Sequence, residues 1–142
     1  MSEVTVQTYD FGPRFSELVL HELDVRYSRN EVDLAATTAA IPFGSVLMRD
    51  SNGKYAPLTE AAASGEGDGA TPARLNGEAC AVLIGAPDIG ADAPVSTTPQ
   101  KALALTGYCM INASQLVFGE NVTLKAAALA DLAKRGFVVK EA

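Results

Sequence analysis

His21 is the only histidine of the chain, and histidine is the side chain best suited to acid–base chemistry near neutral pH. Ser16, Glu22 and Asp24 lie close to it in sequence. A catalytic triad depends on three-dimensional geometry, and side chains this close in sequence more often share the surface of one element than form a proton relay. A small hydrolase that uses His21 is therefore only a minor alternative.

Two acidic segments have some of the residue types of a ligand site. Glu66 and Asp68 alternate with glycines in Gly65–Gly69, but a calcium loop needs oxygen ligands at more positions and a terminal bidentate Glu. The segment also lacks the Lys that follows the glycines of a phosphate-binding loop. Asp88 and Asp92 lie four residues apart among prolines, which disfavour the helix that would bring them together.

Cys80 and Cys109 lie in apolar, strand-like surroundings with no further cysteine or histidine nearby. Two such residues do not make a zinc site, so we expect buried, reduced thiols that pack as small apolar side chains. The sequence therefore predicts no catalytic residue, no metal and no cofactor.

The segments that carry these residues predict an α+β fold, a small β-rich domain over residues 15–142 with hairpins, short strands and one C-terminal amphipathic helix. Six stretches have the alternating or continuous apolar character of strands. They are Ser28–Leu34, Ser45–Arg49, Lys54–Leu58, Glu78–Ile84, Lys101–Ile111 and Phe137–Val139. Val32 and Leu34 should face inward. Asn52-Gly53 predicts a tight hairpin, and Glu78–Ile84 should be buried on both faces.

The remaining segments of the domain predict a helix and a loop. Thr123 should cap a helix that begins at Leu124, and Gly136 should end it in the left-handed conformation, just after basic residues that complement the helix dipole. Thr59–Gly77 is rich in Ala, Gly, Ser and Glu and has no apolar periodicity, which predicts a long flexible surface loop.

Residues 1–14 predict a flexible, extended arm in front of the domain. Side chains of Val4, Val6 and Thr8 would share one side of an extended chain, before Gly12-Pro13 interrupts the pattern. A single strand of this length is not stable alone in water, so it needs the edge of a sheet to pair with.

Composition limits the classes of partner. The 17 acidic residues outnumber the 11 basic ones, and the formal charge of −6 disfavours binding to nucleic acid, which requires clustered Lys and Arg. The sequence has no long apolar run and no signal-peptide pattern, so no membrane partner is expected. Aromatic residues are only 6% of the chain and Trp is absent, which predicts a thin core that oligomerisation would help.

Four segments, in this order, resemble the head decoration proteins of lambda-type bacteriophages. They are FSELVLHE (15–22), YSRNEVDLAA (27–36), IPFGSVLMRDSNGKYAPL (41–58) and TLKAAALADLAKRGFVVK (123–140). In this resemblance Glu22 matches the acid that ends the first segment, Ser28-Arg29 begins the strand, and Gly53-Lys54-Tyr55 closes the hairpin. Departures are the reversed order of Asn30 and Glu31, Pro42, and an expanded Thr59–Gly77 loop.

The resemblance implies a homotrimer, with a dimer left open, that sits on the outer surface of the expanded capsid at three-fold and quasi-three-fold sites. It implies a virion protein that is assembled in the host cytoplasm and strengthens the shell against DNA pressure. It is not an enzyme on this reading. The arm would add a strand to the major capsid protein. The residues expected to bind the capsid are Val4, Thr5, Val6, Gln7, Tyr9, Phe11 and Phe15. The exposed glycine-rich loop leaves a host-surface adhesion module as an alternative.

Overall fold

The computed structural model describes residues 15–23, 28–86, 88–119 and 122–140. Its helices are α1 (Phe15–Leu18) and α2 (Lys125–Ala133). Its strands are β1 (Val19–Glu22), β2 (Arg29–Leu34), β3 (Val46–Arg49), β4 (Tyr55–Pro57), β5 (Glu60–Ala61), β6 (Arg74–Leu75), β7 (Ala79–Gly85), β8 (Gln100–Leu105), β9 (Cys109–Asn112) and β10 (Phe137–Lys140). This β-rich chain with one helix longer than a single turn confirms the α+β class. The predicted arm, residues 1–14, lies outside the described residues.

Two layers build the domain. Strands β2, β4, β3, β7 and β8 form a closed barrel in that order, and β1, β9 and β10 form a three-stranded sheet with β9 in the middle. One core fills the barrel. A second core lies between the barrel, the sheet and α2, and it includes Val82, Ile111, Leu132 and Phe137. A barrel of five strands has a narrow interior, which suits the many alanines of its core.

Strand β7 belongs to both cores. Ala81 and Leu83 point into the barrel, whereas Val82 and Ile84 point into the core beneath the sheet and α2. Every residue of the strand is buried, which confirms the prediction that this continuous apolar run is covered on both faces. The inward orientation of Val32 and Leu34 in β2 is confirmed as well.

The β3–β4 hairpin is confirmed, with one difference in its turn. The Asp50 carboxylate accepts hydrogen bonds from the backbone N–H groups of Asn52 and Lys54, each at 2.9 Å. Only Gly53 of the Asn-Gly pair has a positive φ, at 79°. The side chain of Asp50 therefore shapes the turn together with one left-handed glycine.

The prediction of one strand over Lys101–Ile111 is wrong, because the chain breaks at Gly107. Strand β8 ends at Leu105 in the barrel, and β9 begins at Cys109 in the separate sheet. Gly107 has a φ of 152°, and a Cβ atom there would lie 2.3 Å from the carbonyl oxygen of Arg135. The glycine thus permits a close crossing that transfers the chain from one layer to the other.

The Thr59–Gly77 segment is more regular than the flexible loop predicted for it. Strands β5 and β6 pair in antiparallel fashion, with Glu60 opposite Leu75, and a short 3₁₀ turn at Gly67–Gly69 lies between them. Residues 62–72 are nonetheless exposed, as expected for a surface segment.

Within the described ranges, no helix is long and apolar enough to cross a membrane.

The start of α2 also differs from the prediction. The helix begins at Lys125, and the Thr123 hydroxyl does not cap it but donates to the Glu60 carboxylate at 3.0 Å. That carboxylate also accepts from the backbone N–H of Leu124 at 3.0 Å. A carboxylate from a distant strand therefore provides the negative charge favoured at a helix N-terminus. Gly136, with a φ of 89°, confirms the predicted C-terminal position.

Gly85 allows a test of how tightly the connection after β7 is held. A Cβ atom at Gly85 would lie 2.1 Å from the carbonyl oxygen of Asp88, so we expect Gly85→Ala to lower the free energy of unfolding by about 1–3 kcal/mol. The matched control is Gly69→Ala, where a Cβ atom would meet nothing within 4 Å. Urea unfolding should show no loss for the control. Equal stability of both variants would contradict the close approach of the Asp88 carbonyl to Gly85.

Candidate functional site

The predicted capsid-binding residues divide into two groups. Val4, Thr5, Val6, Gln7, Tyr9 and Phe11 lie outside the described residues, so their predicted role stays a prediction. Phe15 is the first described residue and lies in α1, directly before β1. The predicted arm would join the domain here, and we call this region the arm root, comprising Phe15, Leu18, Glu22, Ser28 and Arg29.

Phe15 fastens the arm root to the domain through two contacts. Its half-buried ring packs against the core beneath the sheet, and the Arg29 guanidinium lies 4.6 Å from the ring centroid. Leu18, at the end of the same helical turn, is fully buried. A guanidinium over an aromatic face contributes about 0.5–1 kcal/mol at exposed sites and more where water is excluded.

An ion pair completes the arm root. The Arg29 Nε–H donates to both carboxylate oxygens of Glu22, at 2.9 and 3.1 Å, and the Ser28 hydroxyl donates to the same carboxylate at 3.1 Å. The side chain of Glu22 is only 8% exposed. Because Glu22 ends β1 and Arg29 begins β2, this pair connects the sheet to the barrel. The arm root is therefore bonded to both layers of the domain.

His21 does not assemble a catalytic relay within the described residues. It is exposed on the outer side of the sheet, beside a shallow depression that is lined by residues of β1, β9, β10 and the adjoining turns. The residues of that lining include neither a carboxylate nor a Ser or Thr hydroxyl. Within the described part of the chain, no three His, Cys, Asp or Glu residues cluster to hold a metal ion.

Both cysteines are buried thiols, as the sequence predicts. Burial, with a smaller contribution from the negative charge of Glu22, raises the pKa of Cys109 to about 12. Burial also raises the pKa of Cys80. Since the thiolate is the nucleophile, both groups are protonated and unreactive at neutral pH.

Comparison with known protein families shows which family the chain belongs to. The family model of the bacteriophage lambda head decoration protein D matches residues 8–137. The chain belongs to this family. No curated protein and no solved structure matches it. As a member of the head decoration family, the chain has a structural role on the phage head, and it is associated with the capsid of the virion.

The family match covers the whole arm root and most of the domain. Val4, Thr5, Val6 and Gln7 precede the matched range, whereas Tyr9, Phe11 and Phe15 lie inside it. The sequence analysis did not predict the ion pair between Glu22 and Arg29, although both residues lie in segments that resemble the family. It also missed the exposed Tyr108, which the glycine directly before it could have marked as the end of a strand.

Removal of the guanidinium tests the arm root. Arg29→Ala leaves the Glu22 carboxylate with only the Ser28 hydroxyl, so we expect a loss of about 1–3 kcal/mol in the free energy of unfolding, measured with urea. The matched control is Lys101→Ala, which removes an exposed ion pair with Asp33 and should change stability little. An Arg29→Ala variant as stable as the control would contradict a stabilising role for the Glu22–Arg29 ion pair.

The thiols give a second prediction. In the native protein at pH 8, neither Cys80 nor Cys109 should react with iodoacetamide over the time in which free cysteine reacts completely, because both thiols are buried and protonated. In 8 M urea, both should react, as counted by the mass of the intact chain. Rapid modification of the folded protein would show that a thiol is accessible.

Proposed function

We propose that this head decoration protein binds the outer surface of the expanded capsid at three-fold and quasi-three-fold sites and stabilises the shell against the pressure of packaged DNA. The single observation that carries the proposal is the family match over residues 8–137. The arm root supports it, because a protein that resists deformation of a shell must transmit force from its attachment point into a folded domain. Assembly on the shell would take place in the host cytoplasm.

The proposed attachment is strand addition by the arm to an edge of the major capsid protein. The arm would use Val4, Thr5, Val6, Gln7, Tyr9 and Phe11, and Phe15 would hold its end at the domain. Strand addition uses main-chain hydrogen bonds for affinity and alternate side chains for specificity. The period-two pattern of the arm suits this mode, since every second side chain would point towards the partner.

The energetics of the arm favour an oligomer. Ordering about ten residues costs on the order of 10–20 kcal/mol. Ladder hydrogen bonds contribute about 1 kcal/mol each, and buried apolar side chains contribute about 1.5–3 kcal/mol each. The two sums nearly cancel for one arm. A homotrimer would engage three arms, and after the first has bound the others act at high effective concentration, which makes the attachment stable.

The alternative of a host-surface adhesion module gains no specific support. Its motivation was the exposed segment between β5 and β6. Residues 62–72 contain only Ala, Gly, Ser, Thr, Pro and acidic residues. Recognition surfaces depend on aromatic and arginine anchors, which are absent from this stretch.

Deletion of residues 1–12 tests the proposed attachment. The shortened protein should remain folded and self-associated, because the arm root and the domain are intact, and it should no longer co-sediment with expanded, undecorated capsids. Binding as strong as that of the full chain would contradict the role of the arm.

A pair of variants tests strand addition itself. Val4→Asp/Val6→Asp places two charges on one side of the arm, and Thr5→Asp/Gln7→Asp places the same charge on the other side. Strand addition predicts that co-sedimentation is lost for the first pair and weakened less for the second, since only one side faces the apolar surface of the partner. An equal effect of both pairs would indicate that charge, and not the strand pattern, determines binding.

A further inference from the structure

The chain contains two Asn-Gly pairs, Asn52-Gly53 and Asn76-Gly77. Asparagine is thermolabile, and an Asn-Gly pair is especially prone to lose the side-chain amide, because glycine has no side chain to hinder attack by its backbone nitrogen. In a folded protein, the rate of this reaction depends on how firmly the amide and the backbone around it are held. The two pairs therefore allow a comparison within one molecule.

The reaction needs only water. The Gly53 nitrogen, after losing its proton to solvent, attacks Cγ of Asn52, and the amide nitrogen of that side chain leaves as ammonia. The product is a five-membered succinimide ring. Water then adds to one of the two ring carbonyls and breaks its bond to the Gly53 nitrogen. Opening at Cγ gives aspartate, and opening at the backbone carbonyl gives isoaspartate, in which the main chain runs through the former side chain.

The side chain of Asn52 is unrestrained. Asn52 is exposed in the turn of the β3–β4 hairpin, and among the described residues its side-chain amide has no hydrogen-bond partner. The guanidinium of Arg49 lies nearby, with Nη2 3.4 Å from the Gly53 carbonyl oxygen. A positive charge at this distance stabilises the negative charge that the Gly53 nitrogen acquires when it loses its proton.

Asp50 slows the reaction by holding the turn closed. Its carboxylate accepts hydrogen bonds from the backbone N–H groups of Asn52 and Lys54, each at 2.9 Å. The Gly53 N–H donates to the Asp50 carbonyl oxygen at 3.0 Å, so the turn must open before the nitrogen can attack. Hydrogen bonds in an exposed turn open much more often than those of a core strand. Asp50 therefore lowers the rate without preventing the reaction.

Asn76 is held at both its side chain and its backbone. Its side-chain amide donates to the Thr59 hydroxyl at 2.8 Å, and its backbone N–H donates to the Thr59 carbonyl at 2.9 Å. The side chain of Met48 covers the next residue, because a Cβ atom at Gly77 would lie 3.0 Å from Met48 Sδ. Rotation of the amide towards the Gly77 nitrogen would break the bond to the hydroxyl, and the contact with Met48 leaves little space for a ring.

We propose that Asn52 is a site of spontaneous deamidation in the folded protein and that Asn76 is protected from it. Both products place a new negative charge beside the Asp50 carboxylate, and isoaspartate also lengthens the backbone of the turn. Tyr55, just beyond the turn, forms the one bridge between β4 and β2, opposite Leu34. Deamidation therefore loosens the hairpin that closes the barrel. The proposal does not depend on capsid binding.

Peptide mapping by mass spectrometry tests the choice between the two pairs. The native full chain is incubated at pH 8, and aspartate and isoaspartate are measured at both positions over time. The two hydrogen bonds to Thr59 predict a rate at Asn76 about 5–30-fold below that at Asn52. In concentrated guanidinium chloride, both pairs should react at similar rates, because the contacts that distinguish them are absent.

Three variants test the contacts one at a time. Thr59→Val keeps the shape of the side chain and removes one hydrogen bond, so the rate at Asn76 should rise about fivefold while that at Asn52 stays the same. Asp50→Ala removes two hydrogen bonds from the turn and should raise the rate at Asn52 by about 5–30-fold. Asp68→Ala, which removes an exposed carboxylate elsewhere, should change neither rate.

Stability measurements test the consequence. Deamidated protein, separated from the fresh chain by ion exchange, should unfold at a lower urea concentration. An equal midpoint would contradict the loosening of the hairpin.

Three results would overturn the assignment of the site. One is a rate at Asn76 equal to or above that at Asn52 in the native chain. Another is an intact Asn52 in the native chain after the time in which the denatured chain reacts completely. The third is an Asp50→Ala variant that is folded by circular dichroism and reacts no faster at Asn52. If that variant does not fold, the comparison of Asn52 with Asn76 in the unmodified chain still decides.

Discussion

The domain depends on one strand that belongs to two cores. Ala81 and Leu83 of β7 fill the barrel, and Val82 and Ile84 of the same strand pack beneath the sheet and α2. A strand buried on both faces has no polar side to expose, so each layer requires the other. The aromatic-poor composition is adequate for this arrangement, because a five-stranded barrel has room for alanine where a wider structure would need larger side chains.

The arm root follows from the same arrangement. Helix α1 leads directly into β1 of the sheet, and the Glu22–Arg29 pair connects the end of β1 to the start of β2 in the barrel. The arm root is coupled to both layers through a buried leucine, a stacked ring and a nearly buried carboxylate. This coupling suits the structural role of a head decoration protein.

Local patterns predicted much of the fold, and contacts between distant residues account for the rest. The β3–β4 hairpin, buried β7, inward Val32 and the left-handed Gly136 just after α2 were all predicted from neighbours within a few residues. Closure of the barrel depends on a single pairing of Leu34 with Tyr55, and the start of α2 is bonded to Glu60, more than 60 residues earlier. No local pattern carries such information. The break after β8 was predictable in principle from Gly107, but the apolar run around it favoured one long strand. Of the predicted capsid-binding residues only Phe15 lies among the described residues, and its role in capsid binding stays a prediction, like that of the others.

The most direct test of the account is a cryo-electron microscopy reconstruction of expanded, undecorated capsids mixed with the full chain. The account predicts density for the domain at three-fold and quasi-three-fold points on the outer surface, with each arm continuing from Phe15 as an additional strand at the edge of a capsid protein sheet. Bare three-fold points, or bound domains whose arms pair with no capsid strand, would contradict it.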